Sequence, residues 1–165
     1  MSVAIERGGA KLIGELEPLW LALVAHHHAS APHLGPVREP EDTWARRRAS
    51  YEKWLAEPDA FVLVARDEAT GRAVGYAMVV IDTPGPTWPN PERRAEVETL
   101  ALLPEARGAG LGHALLERVQ EEVAPLGIED LHLTAIAANE SALRFYEREG
   151  FRPMLIGLHR TPRTR

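Results

Sequence analysis

VETLALLPEARGAGLGHALLERV, residues 97–119, runs an apolar segment with one carboxylate into a proline, an arginine and three glycines within five residues, and an amphipathic helix follows at once. Glycine lacks a Cβ, so its backbone can approach a ligand closely and adopt positive φ. The first turn of a helix leaves N–H groups unpaired and carries a partial positive charge. RGAGLG, residues 107–112, therefore reads as a nest of amide donors for a phosphate or pyrophosphate, with Arg107 as an added cation. With only one or two glycines, a tight turn that binds nothing would be the better reading. Three, between an arginine and a helix, favour the anion site. Neither familiar nucleotide loop fits. A P-loop requires Lys and then Ser or Thr after the last glycine, where His113 and Ala114 stand. A dinucleotide fingerprint belongs after the first strand of its fold, and Gly108, Gly110 and Gly112 come late and one residue too closely spaced.

Working outward, Val3–Glu6 reads as a short strand. Leu12, Leu16, Leu19, Trp20, Leu23 and His27 recur at three and four, the stripe of a helix from Lys11 to about His27. A proline-rich loop follows. Asp42 or Thr43 caps a second helix, with Trp44, Arg48, Tyr51 and Leu55 on one side and an end near Pro58. The period then changes. Phe61–Arg66 and Ala73–Ile81 are β-rich runs joined by DEATG, a hairpin. DTPGPTWPNPE, residues 82–92, is an irregular loop. VETLALL is a strand, GLGHALLERVQEEVAPLG a helix, and LHLTAIA, residues 131–137, a further strand. NESALRFYEREG has an Asn cap and a Gly stop and is a short helix. FRPMLIGLHR, residues 151–160, reads as a closing strand. The expected order is β-α-α-β-β-β-α-β-α-β, an α/β chain with a mixed sheet: the hairpin is antiparallel and the strand–helix–strand portion parallel.

The 165 residues fit a single domain spanning 1–165, with 45% hydrophobic and 26% charged residues, an ordinary globular balance. The net charge of −5 opposes nucleic-acid binding by phosphate neutralisation and, if anything, favours a cationic small molecule. With no cysteine there is no disulfide, thiolate metal site or cysteine nucleophile, which fits a cytoplasmic location. Acidic residues interrupt the apolar positions of the first twenty residues, so no signal peptide is expected there. No window approaches the roughly 18 apolar residues of a membrane span.

Arg107, Gly110 and Gly112, spaced R-x-x-G-x-G after a strand and Pro104, resemble the acyl-CoA motif of the GNAT superfamily of N-acetyltransferases. NESALRFYEREGF, residues 139–151, resembles the second motif of that family. The spacing between the two holds one helix and one strand, as the family requires, and the upstream order agrees. The resemblance implies the GNAT fold, a mixed sheet flanked by helices whose splayed parallel strands hold acetyl-CoA as co-substrate. It carries the pyrophosphate onto Arg107, Gly108, Ala109, Gly110, Leu111, Gly112 and His113. It carries the pantetheine arm onto the backbone of Leu100, Ala101 and Leu102, with Asn139 and Ala142 as further CoA contacts.

The chemistry implied is attack of an amine on a thioester. An alkylamine with a pKa of about 10.4 is protonated at neutral pH, so a base must take a proton first. The resemblance offers a strand carboxylate, and Glu98 is favoured over Glu96 or a water chain. Strand alternation is expected to put Glu96, Glu98 and Leu100 on one face. Tyr146 matches the family's acid for the leaving thiolate; without the match it reads as a packing residue. The expected function is N-acetyl transfer to a primary amine in a ternary complex. A small-molecule acceptor is expected, with a protein or peptide acceptor as the alternative and a non-catalytic acyl-CoA sensor as the alternative of another class. Neither nucleic acid nor membrane is an expected partner; homodimers are common in the family.

His26, His27 and His28 on a helix point about 100° apart and cannot converge on one ion, so no metal site is expected. In the family's fold the first two helices cover the acceptor, which makes His26, His27, His28, His33, Trp44, Tyr51 and Trp88 candidates for lining it. Trp44 and Tyr51 read equally well as core. Arg46, Arg47 and Arg48 read as a solvated helix face.

Overall fold

The computed structural model describes residues 2–87 and 92–160. Its strands β1 (Val3–Gly8), β2 (Phe61–Asp67), β3 (Ala73–Asp82), β4 (Arg94–Leu102) and β5 (Leu131–Leu133) form one sheet in sequential order. The first three pairings are antiparallel and β4 with β5 is parallel. The parallel pair is joined through helix α3 (Leu111–Val123), because neighbouring strands of the same direction need a crossover. Helices α1 (Glu17–Ser30) and α2 (Pro40–Trp54) precede β2, and α4 (Glu140–Arg148) follows β5.

Alternation along β2 divides the core in two. Phe61, Leu63 and Ala65 face Leu115, Leu116, Val119 and Val123 of α3. Val62 and Val64 face Leu19 and Trp20 of α1 with Trp44 and Tyr51 of α2. Both sides of the sheet are therefore covered, which is why β2 and β3 are near-continuously apolar. Tyr51 ties the second layer to the sheet. Its hydroxyl lies 2.7 Å from that of Tyr76 and 2.8 Å from Oγ1 of Thr99, all three residues being buried. Tyr51→Phe keeps the ring and removes the shared hydroxyl. Unfolding free energy is expected to fall by about 1–3 kcal/mol, measured as a lower denaturant midpoint at unchanged slope. An unchanged midpoint would mean that this bridge adds nothing to stability.

The alternation expected along β4 fails at one residue. Val79 pairs with Val97 and Met78 with Thr99, so Glu98 is an extra residue, a β-bulge. Ala95 and Val97 pack in the α3 layer, whereas Thr99 bonds Tyr51 and Ala101 packs with α1 and α2. Leu100 consequently belongs to the α3 layer and does not share a face with Glu96. One inserted residue reverses every side chain after it.

Four further expectations are corrected. The second helix begins at Pro40 after Glu39, so Asp42 and Thr43 lie inside it and do not cap it. The first helix begins only at Glu17, after a 3₁₀ segment at Ala10–Glu15. The strand expected over 131–137 ends at Leu133. Residues 151–160 are not a strand, and Leu155, Ile156 and Leu158 are exposed. A β-rich composition makes a strand only against a partner edge, and β5 offers three residues of one.

Candidate active site

β5 pairs with β4 only from Ala95 to Val97, while β4 runs on to Leu102. Beyond Val97 the two parallel chains part, and a cleft of about 510 Å³ opens between them. The edge of β4 that faces it, from Glu98 to Leu102, has no strand neighbour among the described residues. The expected splay is thus present. It begins at the bulge.

At one end of the cleft lies the glycine turn. Gly108 and Gly110 have φ of 77° and 80°, the left-handed region that a Cβ disfavours. Gly110 caps α3 without a side-chain acceptor, so the first-turn N–H groups remain available. Gly112 is small for another reason: a Cβ there would meet Cζ of Phe145 at 3.0 Å, so α3 and α4 close together over the turn. Arg107 is exposed, and its Nε donates to the Leu102 carbonyl at 3.2 Å, folding the side chain back onto the end of β4. His113 lies 2.7 Å from the Glu149 carboxylate, and that hydrogen bond, aided by the charge, raises its pKa above the usual imidazole value. The assembly is a cradle of amides with two basic side chains, fit for an anion.

α4 forms the opposite wall. Asn139 is its N-cap, with Oδ1 accepting from the Ala142 amide at 3.2 Å and from Ser141 at 2.9 Å. At the other end Gly150 takes φ of 90° and the Phe151 amide donates to the Tyr146 carbonyl at 2.9 Å. That turn folds Phe151 against Tyr146, ring centroids 5.8 Å apart and edge to face. Tyr146 is thereby held in the cleft wall. Burial pushes its phenol up to about 12, so it stays protonated across the physiological range. Among the described residues no hydrogen bond engages its hydroxyl.

Glu98 faces the cleft from the bulge. Burial raises the pKa of its carboxyl above the ordinary value, the Glu96 charge adds to the rise, and Arg47 opposes it. Glu96 itself is engaged elsewhere, 2.6 Å from Nδ1 of His132 on β5. Leu23, His26 and His27 of α1 also line the cleft. His27 is held below its usual pKa by burial first, and then by the charges of His26 and Arg47.

Of the residues expected from sequence, the cleft brings together Glu98, Leu100, Leu102, Arg107, Gly108, Gly110, Leu111, Gly112, His113, Asn139, Ala142 and Tyr146. Ala101 points its side chain into the α1–α2 layer, and Ala109 is an exposed turn residue outside the lining. His28 and His33 do not line it, Trp44 and Tyr51 are core, and Trp88 lies outside the described residues. Among the described residues no cluster of potential metal ligands occurs, and no helix is long and apolar enough to cross a membrane. Sequence reading missed Thr99, Ser141, Phe145 and Glu149. Phe145 could have been found from its place in the second motif, whereas the ion pair of Glu149 with His113 spans 36 positions. A second hollow, of about 470 Å³, is lined by Glu6 and residues 8–12, with Glu6 and Lys11 as its ionisable side chains.

Residues 20–151 match the model of the Acetyltransferase (GNAT) family. The chain is similar to mycothiol acetyltransferase of Propionibacterium freudenreichii subsp. shermanii, 37% identical over 130 residues, 78% of this chain and 38% of that protein. It is also similar to IAA acetyltransferase of Azospirillum brasilense, 34% identical over 97 residues, 59% of this chain and 58% of that protein. It therefore spans about two fifths of the first relative's length and under two thirds of the second's. Among solved structures it superposes on a tetramutant of the BH1408 protein of Bacillus halodurans with a TM-score of 0.77 at 19% identity, covering 96% of this chain and 99% of that one. On aminoglycoside N-acetyltransferase AAC(6')-Iy in complex with CoA the TM-score is 0.71 at 16% identity, covering 99% and 96%. At such identities these likenesses show the fold.

Proposed function

The chain belongs to the GNAT family of acetyltransferases, and on that premise we propose that it moves an acetyl group from acetyl-CoA to a primary amine of a small molecule, by direct attack in a ternary complex. One observation carries the reading. A single cleft joins an anion cradle, an unpaired strand edge, a carboxyl with raised pKa and a protonated phenol.

Each part has a task in that reaction. The glycine turn and Arg107 bind the pyrophosphate, and the open edge of β4 takes the amides of the pantetheine arm as an added strand would be taken. Glu98 removes a proton from the acceptor ammonium. The freed amine attacks the thioester carbonyl carbon, and a new C–N bond forms as the C–S bond breaks. The thiolate takes a proton from the Tyr146 hydroxyl. Of the two protons the nitrogen loses, the first leaves to solvent from Glu98. The second, shed as the C–N bond forms, returns through solvent to the Tyr146 phenolate, so that the proton given to sulphur is balanced. No acyl-enzyme is needed. The proposal takes residues 1–165 as one acetyltransferase domain.

The test is acceptor-dependent thiol release from acetyl-CoA across a panel of primary amines, beside calorimetric titration of CoA. Release supports the enzyme. CoA binding without release from any amine favours a sensor, and no CoA binding overturns the reading. Arg107→Ala removes one charge-assisted contact, worth about 1.5–3 kcal/mol. The dissociation constant for CoA is expected to rise roughly 10–100-fold, and an unchanged constant would remove Arg107 from the phosphate site.

A further inference from the structure

Four arginines among the described residues are half-buried: Arg47, Arg66, Arg94 and Arg118. Three of them hold carboxylates. Arg66 pairs with Glu6 and Glu15, Arg94 with Asp82, and Arg118 with Glu122. Arg47 holds none among the described residues, although its helix neighbours Arg46 and Arg48 bind Asp42 and Glu52 on the exposed side. The run Arg46–Arg48 is therefore not a uniform solvated face. Its middle member turns inward.

What holds Arg47 is aromatic. Its Cζ lies 4.1 Å from the ring centroid of Trp20, 5.5 Å from that of Tyr51 and 5.6 Å from that of Trp54. Cation–π contact fixes the guanidinium plane and satisfies none of its N–H donors. A partly desolvated guanidinium with unused donors favours an anion. The surroundings say where that anion would sit. The Tyr51 ring beside Arg47 carries the hydroxyl that reaches Thr99, the residue after Glu98. The charge of Arg47 acts on both Glu98 and His27, which line the acceptor side of the cleft. Arg47 and Glu98 nonetheless make no salt bridge. Arg47 is not itself among the lining residues, and the two opposite charges are left unjoined on either side of the Tyr51–Thr99 contact.

We propose that the acceptor is a zwitterionic amine, with an ammonium for Glu98 and a carboxylate for Arg47 in the manner of an amino acid. This rests on the acetyltransferase reading and names the acceptor class of that site. A polyamine or aminoglycoside would bring a further cation towards Arg47 and be repelled. A carboxylate instead meets a planar fork of donors in bidentate geometry. Burial lowers the pKa of His27, which disfavours a further positive charge at the same wall.

The experiment compares matched acceptors, several amino acids and the primary amide of each, in thiol release from acetyl-CoA. The amide has the less protonated amine and would be the better acceptor on basicity alone, so a preference for the acid reads the carboxylate. The acids are expected to be favoured at least tenfold in kcat/KM. Arg47→Met, which keeps the stem packed between the rings, is expected to raise KM for the acids about tenfold or more. The amides should change far less, since they lose only the effect of the Arg47 charge on Glu98, and the CoA dissociation constant should stay unchanged. Should Arg47→Met not fold, Arg47→Lys, which retains charge without the fork, is expected to lose part of the preference. Equal use of acid and amide, or a preference that survives loss of Arg47, overturns the proposal. CoA binding without thiol release from any acid also overturns the acceptor class and leaves the CoA site standing. Absence of CoA binding instead overturns the acetyltransferase reading itself.

Discussion

Glu98→Gln is expected to lower kcat by roughly 10²–10⁴-fold, the range for loss of a general base, while acetyl-CoA still binds and the protein becomes more stable at neutral pH. The first effect follows from the base role, since an amide cannot take the ammonium proton. The second follows from position: the glycine turn and the strand edge that would hold CoA are separate from this side chain. The third follows from the direction of the pKa. A carboxyl held above its unfolded value of 4.5 binds its proton more tightly when folded. Its contribution is most favourable below that value and is lost as pH rises through the folded pKa. At neutral pH, above the unfolded value, the cost of ionising half-buried Glu98 opposes folding, so the isosteric amide relieves it. Thermal melts of both proteins against pH check this, and the difference should vanish on acidification below the ordinary carboxyl range. In the wild type the acid limb of kcat/KM should lie above 4.5 for the same reason. An active Glu98→Gln protein would move the base role to Glu96 or to a water chain.

Tyr146→Phe is expected to reduce kcat by about two orders of magnitude or more, within the range for a positioned acid, and to leave CoA affinity within a factor of a few. The phenol is pushed up to about 12 by burial alone, so it is a reservoir of one proton at every physiological pH. The ring also packs against Phe145 and Phe151, and Phe in its place preserves both contacts. The test is therefore clean: the substitution removes one O–H and little else. Equal losses in turnover and CoA affinity would make Tyr146 a binding residue. Turnover unchanged would leave the thiolate to be protonated by water.

Those two side chains were legible in the sequence to different degrees. Tyr146 sits in a segment whose helix is declared locally, by Asn139 at its start and Gly150 at its end, so its place could be counted along the chain. Glu98 was found in the right strand with the wrong geometry. VETLALL reads as an uninterrupted strand because both faces of β4 are covered and a bulge leaves no mark in an apolar run. That Glu98 is the inserted residue, and that Leu100 turns away from Glu96, depends on which residues of β3 stand opposite.

The same division separates the anion cradle from the acceptor wall. Gly108, Gly110 and Gly112, the caps of α3 and α4, the mixed sheet and its crossover were determined by the sequence alone, because each rests on backbone freedom or periodicity within a few residues. Arg47 was not, since its environment is made by Trp20 on another helix and by Tyr51 anchored to Thr99 on the sheet. Nor was the fate of residues 151–160, whose β-rich composition found no edge long enough to pair with. Local chemistry is written in neighbouring residues. Burial, register and the company a charge keeps exist only once distant segments have packed, and the tertiary structure decided those.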